Sequence, residues 1–317
     1  MLKTIFSQAS NLIYGCMGLG GGWDSTEYDR SHVQQAEEVI NVALEAGITV
    51  FDHADIYTHG KAEAVFGEVL KKTPALREKL ILQSKCAIRF ADEHGPKRYD
   101  FSPAWIKSSV ENSLRRLHTE HLDILLLHRP DPLMEPEPLA EALQQLIQAG
   151  KIAHVGVSNM HGHQIAFLQA ALNRPIVVNQ LEMSLAHRDW LEDGITTGSI
   201  QNRQMGYAPG TLEYCWTNKV QLQAWGSLAQ GRFSGRPTTD TREQATSELV
   251  QQLAQKYSTH AEAVLLAWLM RHPIGIQPLI GTTNLDRIRA CADVGRFTLS
   301  REDWYLLLER VRGEEVP

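Results

Sequence analysis

The sequence predicts an α/β protein, a (β/α)8 TIM barrel forming a single domain over residues 1–317, on three observations. Short apolar runs of strand length alternate with helical patterns along the whole chain, which argues for a parallel sheet with helices on its faces. There are eight such runs, and eight βα units in 317 residues suit a closed barrel better than an open sheet. An open, doubly wound sheet also calls for a G-x-G-x-x-G turn after its first strand. Gly18-Leu19-Gly20-Gly21-Gly22 is glycine-rich, but no helical pattern begins directly behind it.

In chain order, the first run is residues 12–15. The helix after it carries Ala36, Val39, Ile40, Ala43 and Leu44 at the spacing of a core-facing stripe, and Gly47 closes it. Runs at 48–51 and 80–82 flank a helix around 62–72. Ser102 and Pro103 supply an N-cap and a first-turn proline for a helix bearing Ile106, Val110, Leu114 and Leu117. Residues 122–127 form the fourth run, and Leu139, Ala142, Leu143, Leu146 and Ile147 stripe the helix behind it. Runs at 152–157, 176–178, 220–224 and 276–280 complete the set. The polar stretch 191–210, broken by Gly194, Gly198, Gly206 and Gly210, reads as an inserted surface loop or a frayed helix. Residues 232–242 read as a second long loop, and no stretch reads as a linker between domains.

Composition narrows the class. Hydrophobic residues at 43% and charged residues at 21% are a globular balance and exclude a disordered chain. A net charge of −6 offers no attraction to nucleic acid or to an anionic membrane, so neither is expected as a partner. Cys16, Cys86, Cys215 and Cys291 are far apart, which suits reduced thiols in a reducing compartment. Residues 1–10 are too polar for a secretory leader, and no apolar stretch approaches the roughly 20 residues of a membrane span. A cytoplasmic protein is expected. No metal site is expected either, because His59, His94, His118, His121, His161 and His163 are scattered.

In a barrel of this kind, reactive groups gather where strands end and their following loops begin. The second run ends at Asp52, the third at Lys85 and the fourth at His128. The fifth ends at Ser158-Asn159, the sixth at Asn179-Gln180 and the seventh at Trp225. Each residue alone has a plainer reading: Asp52 as an N-cap, Tyr57 as packing, Lys85 as a solvated strand end, His128 as a core histidine. An acid, a lysine and a histidine at three consecutive strand ends are harder to attribute to chance.

Phe51-Asp52-His53-Ala54-Asp55-Ile56-Tyr57 resembles the D-x-A-x-x-Y signature of the aldo-keto reductases. Leu82-Gln83-Ser84-Lys85, Leu126-Leu127-His128-Arg129-Pro130 and Gly156-Val157-Ser158-Asn159 resemble the next three segments of that family, in the same order. The likeness continues through Asn179-Gln180, Ala224-Trp225-Gly226-Ser227-Leu228 and Ile280-Gly281-Thr282-Thr283, covering nearly the whole chain. It is closest to the bacterial general-oxidoreductase branch.

The resemblance implies a reductase that uses NADPH on a small-molecule carbonyl substrate, with Asp52, Tyr57, Lys85 and His128 as its catalytic tetrad. The chemistry is coherent without the family. Hydride delivery to a carbonyl creates an alkoxide, which needs a proton and a positive field at once. Tyr57 would give the proton, and the Lys85 ammonium would acidify the phenol, whose free pKa is about 10. Asp52 would hold Lys85, and His128 would orient the substrate oxygen.

The resemblance also places the nicotinamide carboxamide on Ser158, Asn159 and Gln180, its ring on Trp225, and the pyrophosphate along Ser227 and Leu228. Arg287 aligns with an arginine for the 2′-phosphate, a group suited to a guanidinium fork. Many relatives carry a lysine for the same phosphate where this chain has Gly281, beside Thr282 and Thr283. Fewer cations there would weaken discrimination against NADH. Trp23 is expected as an aromatic wall for the substrate, while Trp190, Tyr207 and Trp216 either reach the cleft or pack under the inserted segment. Two other readings stand beside the reductase. One is a nicotinamide-binding regulator on the same fold, like the cytoplasmic subunits of some potassium channels. The other is an aldolase-type barrel with Lys85 as Schiff-base nucleophile.

Overall fold

The computed structural model describes residues 1–199 and 206–317. Among the described residues there are ten strands: β1 (Ile13–Gly15), β2 (Val50–Asp52), β3 (Ile81–Cys86), β4 (Ile88–Arg89), β5 (Arg98–Tyr99), β6 (Leu122–Leu127), β7 (Ile152–Ser158), β8 (Ile176–Glu182), β9 (Gln221–Trp225) and β10 (Gln277–Ile280). β4 and β5 make a small antiparallel hairpin. The other eight are parallel and close into a (β/α)8 barrel in chain order, with β10 pairing back onto β1.

The helices begin with α1 (Arg30–Glu45), α2 (Lys61–Lys72), α3 (Pro103–Leu117), α4 (Pro136–Gln148) and α5 (Gly162–Ala171). They continue with α6 (Asp189–Ile195), α7 (Thr211–Thr217), α8 (Thr241–Lys256), α9 (Ala261–Met270), α10 (Leu285–Ala292) and α11 (Arg301–Arg312). Local chemistry sets several starts. Asp29 accepts from the Ser31 and His32 amides at the head of α1, and Ser102 caps α3 ahead of Pro103. The stripes of α1, α3 and α4 face the barrel: Ala36, Val39, Ile40, Ile106, Val110, Leu139 and Leu143 are fully buried.

Inside the ring, side chains alternate by the two-residue period of a strand. A lower apolar layer contains Ile13, Val50, Ile81, Ile124, Leu126, Val178 and Leu279, plugged from below by Leu2 and Ala9. Two residues further along the same strands stand Asp52, Gln83 and Gln180, which with Lys85 form a buried polar layer at the mouth. That layering places chemistry at one end of the barrel and packing at the other.

The structure amends several sequence boundaries. β3 and β8 run to Cys86 and Glu182, past the ends expected at 82 and 178. The apolar runs stop where barrel-interior positions turn polar, but the parallel ladder continues through Gln83, Ser84, Lys85, Asn179 and Gln180. The hairpin of β4 and β5 escaped the sequence reading because two-residue strands leave no periodic signal. Part of the 191–210 stretch is helical, at the end of α6, whereas residues 200–205 of it lie outside the described residues. Among the described residues no helix is long and apolar enough to cross a membrane.

Candidate active site

Lys85 is the hub of the barrel mouth. Its Nζ donates to Asp52 Oδ2 at 2.6 Å, to Tyr57 Oη at 2.8 Å and to the His53 carbonyl at 3.0 Å. All three ammonium hydrogens are therefore engaged. Lys85 and Asp52 are each 1% exposed, and an isolated buried charge of either sign would be costly, so each requires the other. Burial works against the Lys85 charge, but Asp52 and then Tyr57 outweigh it and hold the amine above the usual lysine range.

Tyr57 and His128 are set by short local devices. Tyr57 opens a turn in which Thr58 and His59 take left-handed backbone angles, φ 46° and 59°, with the Thr58 hydroxyl donating to the Leu19 carbonyl. Left-handed geometry at a β-branched residue stores strain, here directly behind the phenol. His128 follows β6, its amide donating to the Cys86 carbonyl, and its ring stands nearly perpendicular to Tyr57 at 6.1 Å between centroids. Burial, then the charges of Lys85 and Arg129, push the His128 imidazole well below its ordinary value, so it is neutral at physiological pH.

One electrostatic expectation holds for the pair but not for the sum. The sequence has the Lys85 ammonium acidifying the Tyr57 phenol, yet burial pushes that phenol above its ordinary value and Lys85 only partly offsets the rise. Withdrawing a phenolate from water costs more here than one paired ammonium returns, because Asp52 already neutralises much of that ammonium. The phenol is protonated at neutral pH.

Above these residues opens a cavity of about 850 Å³. Asp52, Tyr57, His128, Ser158, Asn159, Gln180, Trp225, Ser227, Leu228, Gly281, Thr282, Arg287 and Trp23 all line it; Thr283 is not among its walls. Ser158 Oγ donates to the Gln180 carbonyl at 2.9 Å. Asn159, at φ 58°, donates to Ser158 Oγ at 2.8 Å and accepts from Trp225 Nε1 at 3.1 Å. The Ser227 hydroxyl is bonded to the Leu279 carbonyl. Trp23 meets Tyr57 edge-on at 6.4 Å and is half-exposed at the rim. Arg287 lies 3.8 Å from Glu262, and Arg232 and Arg236 line the same cavity from the loop after β9.

Trp190, Tyr207 and Trp216 are not walls of this cavity. Trp190 is buried edge-on against Trp268 and His272, Trp216 packs on the same histidine, and Tyr207 lines a separate pocket. The sequence reading missed Gln83 and Gln223, which share the polar layer with Asp52. Their signal was available: Gln83 stands two residues before Lys85 and Gln223 two before Trp225, hence on the same strand face.

A closed parallel barrel with a buried acid–lysine–tyrosine chain at its mouth defines an oxidoreductase of one class. The family model described as "Aldo/keto reductase family" matches residues 11–309, and the chain belongs to that family. It is 37% identical to 6-dehydroglucose reductase of Agrobacterium fabrum, the alignment covering 98% of this chain and 96% of that protein. It is 34% identical to the oxidoreductase YdhF of Escherichia coli, covering 94% of each. Among solved structures, an aldo-keto reductase from Klebsiella pneumoniae in complex with NADPH superposes with a TM-score of 0.74 at 24% identity, over 98% of this chain and 93% of that one.

Proposed function

We propose that the chain, acting as one barrel domain, reduces aldehydes or ketones to alcohols with NADPH, and that Tyr57 is the general acid. The observation that carries this reading is the Lys85 ammonium bridging Asp52 and the Tyr57 hydroxyl beside the large cavity. When bound, NADPH supplies the hydride. His128, held neutral, hydrogen-bonds the substrate carbonyl oxygen, and Tyr57 gives its proton to that oxygen as negative charge develops there. A phenol with a raised pKa is fully loaded for donation at neutral pH, and Lys85 stabilises the phenolate left behind. Asp52 keeps Lys85 charged and aimed.

The cavity suits an extended dinucleotide. Ser158, Asn159, Gln180 and Trp225 would hold the nicotinamide end, and Ser227, Leu228, Gly281 and Thr282 would flank the pyrophosphate. Arg287 and Arg236 offer cations for a 2′-phosphate in place of the lysine that Gly281 replaces, while Arg232 on the same wall is already paired with Glu243; this supports NADPH over NADH. The NADPH bound to the Klebsiella relative points the same way. The reading of Lys85 as a Schiff-base nucleophile loses support, because an ammonium with three engaged hydrogens and a raised pKa has no lone pair to offer.

The test is NADPH consumption against a panel of carbonyl compounds that includes sugar aldehydes, given the name of the Agrobacterium relative. Tyr57→Phe is expected to lose on the order of 10²–10⁴-fold in rate while binding NADPH within a few-fold of wild type. Equal rates in the two proteins would remove Tyr57 from its role. Tight NADPH binding with no turnover on any carbonyl would favour the regulatory reading.

A further inference from the structure

Most charged groups on the walls of the main cavity have a partner of opposite sign. Lys85 holds Asp52, Glu182 Oε1 lies 3.2 Å from His187 Nε2, Glu262 lies 3.8 Å from Arg287, and Arg232 is paired with Glu243. Arg129 lines the same cavity and is partly buried, yet among the described residues its guanidinium makes no hydrogen bond or ion pair. Asp131, two residues on, turns its oxygens to the amides of Phe101 and Leu133. Arg236 also lacks an acidic partner, but it belongs to the loop after β9, at the end assigned above to the phosphates of the cofactor.

Arg129 stands at the other end. It follows His128 directly behind β6, and its guanidinium carbon is 5.9 Å from the centre of the Trp225 ring. The walls around Tyr57 are otherwise apolar: Trp23 meets the phenol edge-on at 6.4 Å, Ile56 precedes it in the chain, and Met17 and Ile88 line the same cavity. A guanidinium partly withdrawn from water with its donor fork unfilled favours an anion over a neutral group, and a carboxylate fits that fork with two parallel bonds. The anionic groups of a dinucleotide lie towards the opposite end, so the carboxylate has to come from the substrate.

We infer that Arg129 is a specificity-determining residue that pairs with a carboxylate on the substrate, so that the site prefers oxo acids to neutral aldehydes and ketones. The apolar part of such a substrate lies on Trp23, Met17, Ile56 and Ile88. The inference rests on the reading of the cavity as a carbonyl-reduction site with the nicotinamide against Trp225. Tyr57 and His128 meet the carbonyl oxygen of either kind of substrate; Arg129 adds an ion pair that only the acid completes.

Initial rates with NADPH on 3- and 4-formylbenzoate, each beside the matching formylbenzamide, read this directly, because the amide keeps the shape and removes the charge. Wild type is expected to favour the acid of at least one pair about tenfold in kcat/KM, mostly through KM. In Arg129→Gln that ratio is expected to fall to about twofold or less. Burial, then Lys85 and Arg129, hold His128 neutral, and a change there acts on acid and amide alike, so the ratio still measures the ion pair. Equal kcat/KM for acid and amide in wild type overturns the inference, and that measurement needs no variant to fold. An undiminished ratio in folded Arg129→Gln overturns it as well, as does turnover of neutral carbonyls with none of either acid. Failure of wild type to reduce any carbonyl would instead sink the reductase reading on which the inference stands.

Discussion

Asp55 lies two residues before Tyr57 and lines a second cavity, of about 320 Å³, with Trp105, Ser109 and Arg116. Its Oδ1 is buried without a partner. Burial, and next the nearby Glu63 carboxylate, push the Asp55 carboxyl up to about 7 against the pull of Arg116. An unfolded aspartate titrates near 3.9, so between about pH 4 and pH 7 the unfolded chain has released a proton that the folded chain still holds. The contribution to stability is thus highest below pH 4, falls as pH rises, and is lowest above the folded pKa. Asp55→Asn is expected to raise the urea midpoint at pH 8 and to leave it nearly unchanged at pH 4. The same shift at both pH values, or a loss at pH 8, would show that the charge on Asp55 is not what strains the fold.

The approach of α2 to α3 shows how elements reach the site. Ser84, on the outer face of β3, donates to Glu63 of α2 at 2.6 Å, and Glu63 also pairs with Arg116 of α3, the Nε bond being 2.8 Å. This buried link ties both helices to the strand that carries Lys85. It depends on close contact, since a Cβ on Gly67 would lie 1.9 Å from the Arg116 carbonyl oxygen. Alanine is the better helix former by about 1 kcal/mol, yet Gly67→Ala is expected to destabilise by about 1–3 kcal/mol, because neither backbone can yield without moving a whole helix. Chemical denaturation measures it, and a gain in stability would mean the helices part at little cost. Gly20, at φ 77°, likewise permits a close approach. Its glycine-rich loop lies against the Lys61 backbone at the head of α2, where a Cβ would clash at 2.7 Å.

Across the whole barrel, the bottom is packing and the top is polar. Leu2, fully buried below the ring in contact with the inner apolar layer, should act on stability alone. Leu2→Ala is expected to cost about 2–5 kcal/mol in denaturant unfolding, with the carbonyl-reduction rate of the folded protein within about twofold of wild type. A large fall in that rate at unchanged stability would contradict this separation of the two ends.

The same division sets what could be read from the chain alone. Alternating apolar runs and helical stripes are local patterns, so the eight-strand barrel was legible, as were Asp52, Tyr57, Lys85 and His128, each lying at or just beyond a strand end. The extent of β3 and β8 was not, because a strand that carries polar residues into a barrel interior breaks the apolar signal while keeping its ladder. The net pull on the Tyr57 phenol was not legible for a related reason: a pair of charges can be named from sequence, but the cost of burying them depends on everything packed around them. The glutamine layer exists only when β3, β8 and β9 close around β2. Residue type and order are written locally; the direction of a hydrogen bond between residues 140 positions apart is settled by the closed ring that brings them together.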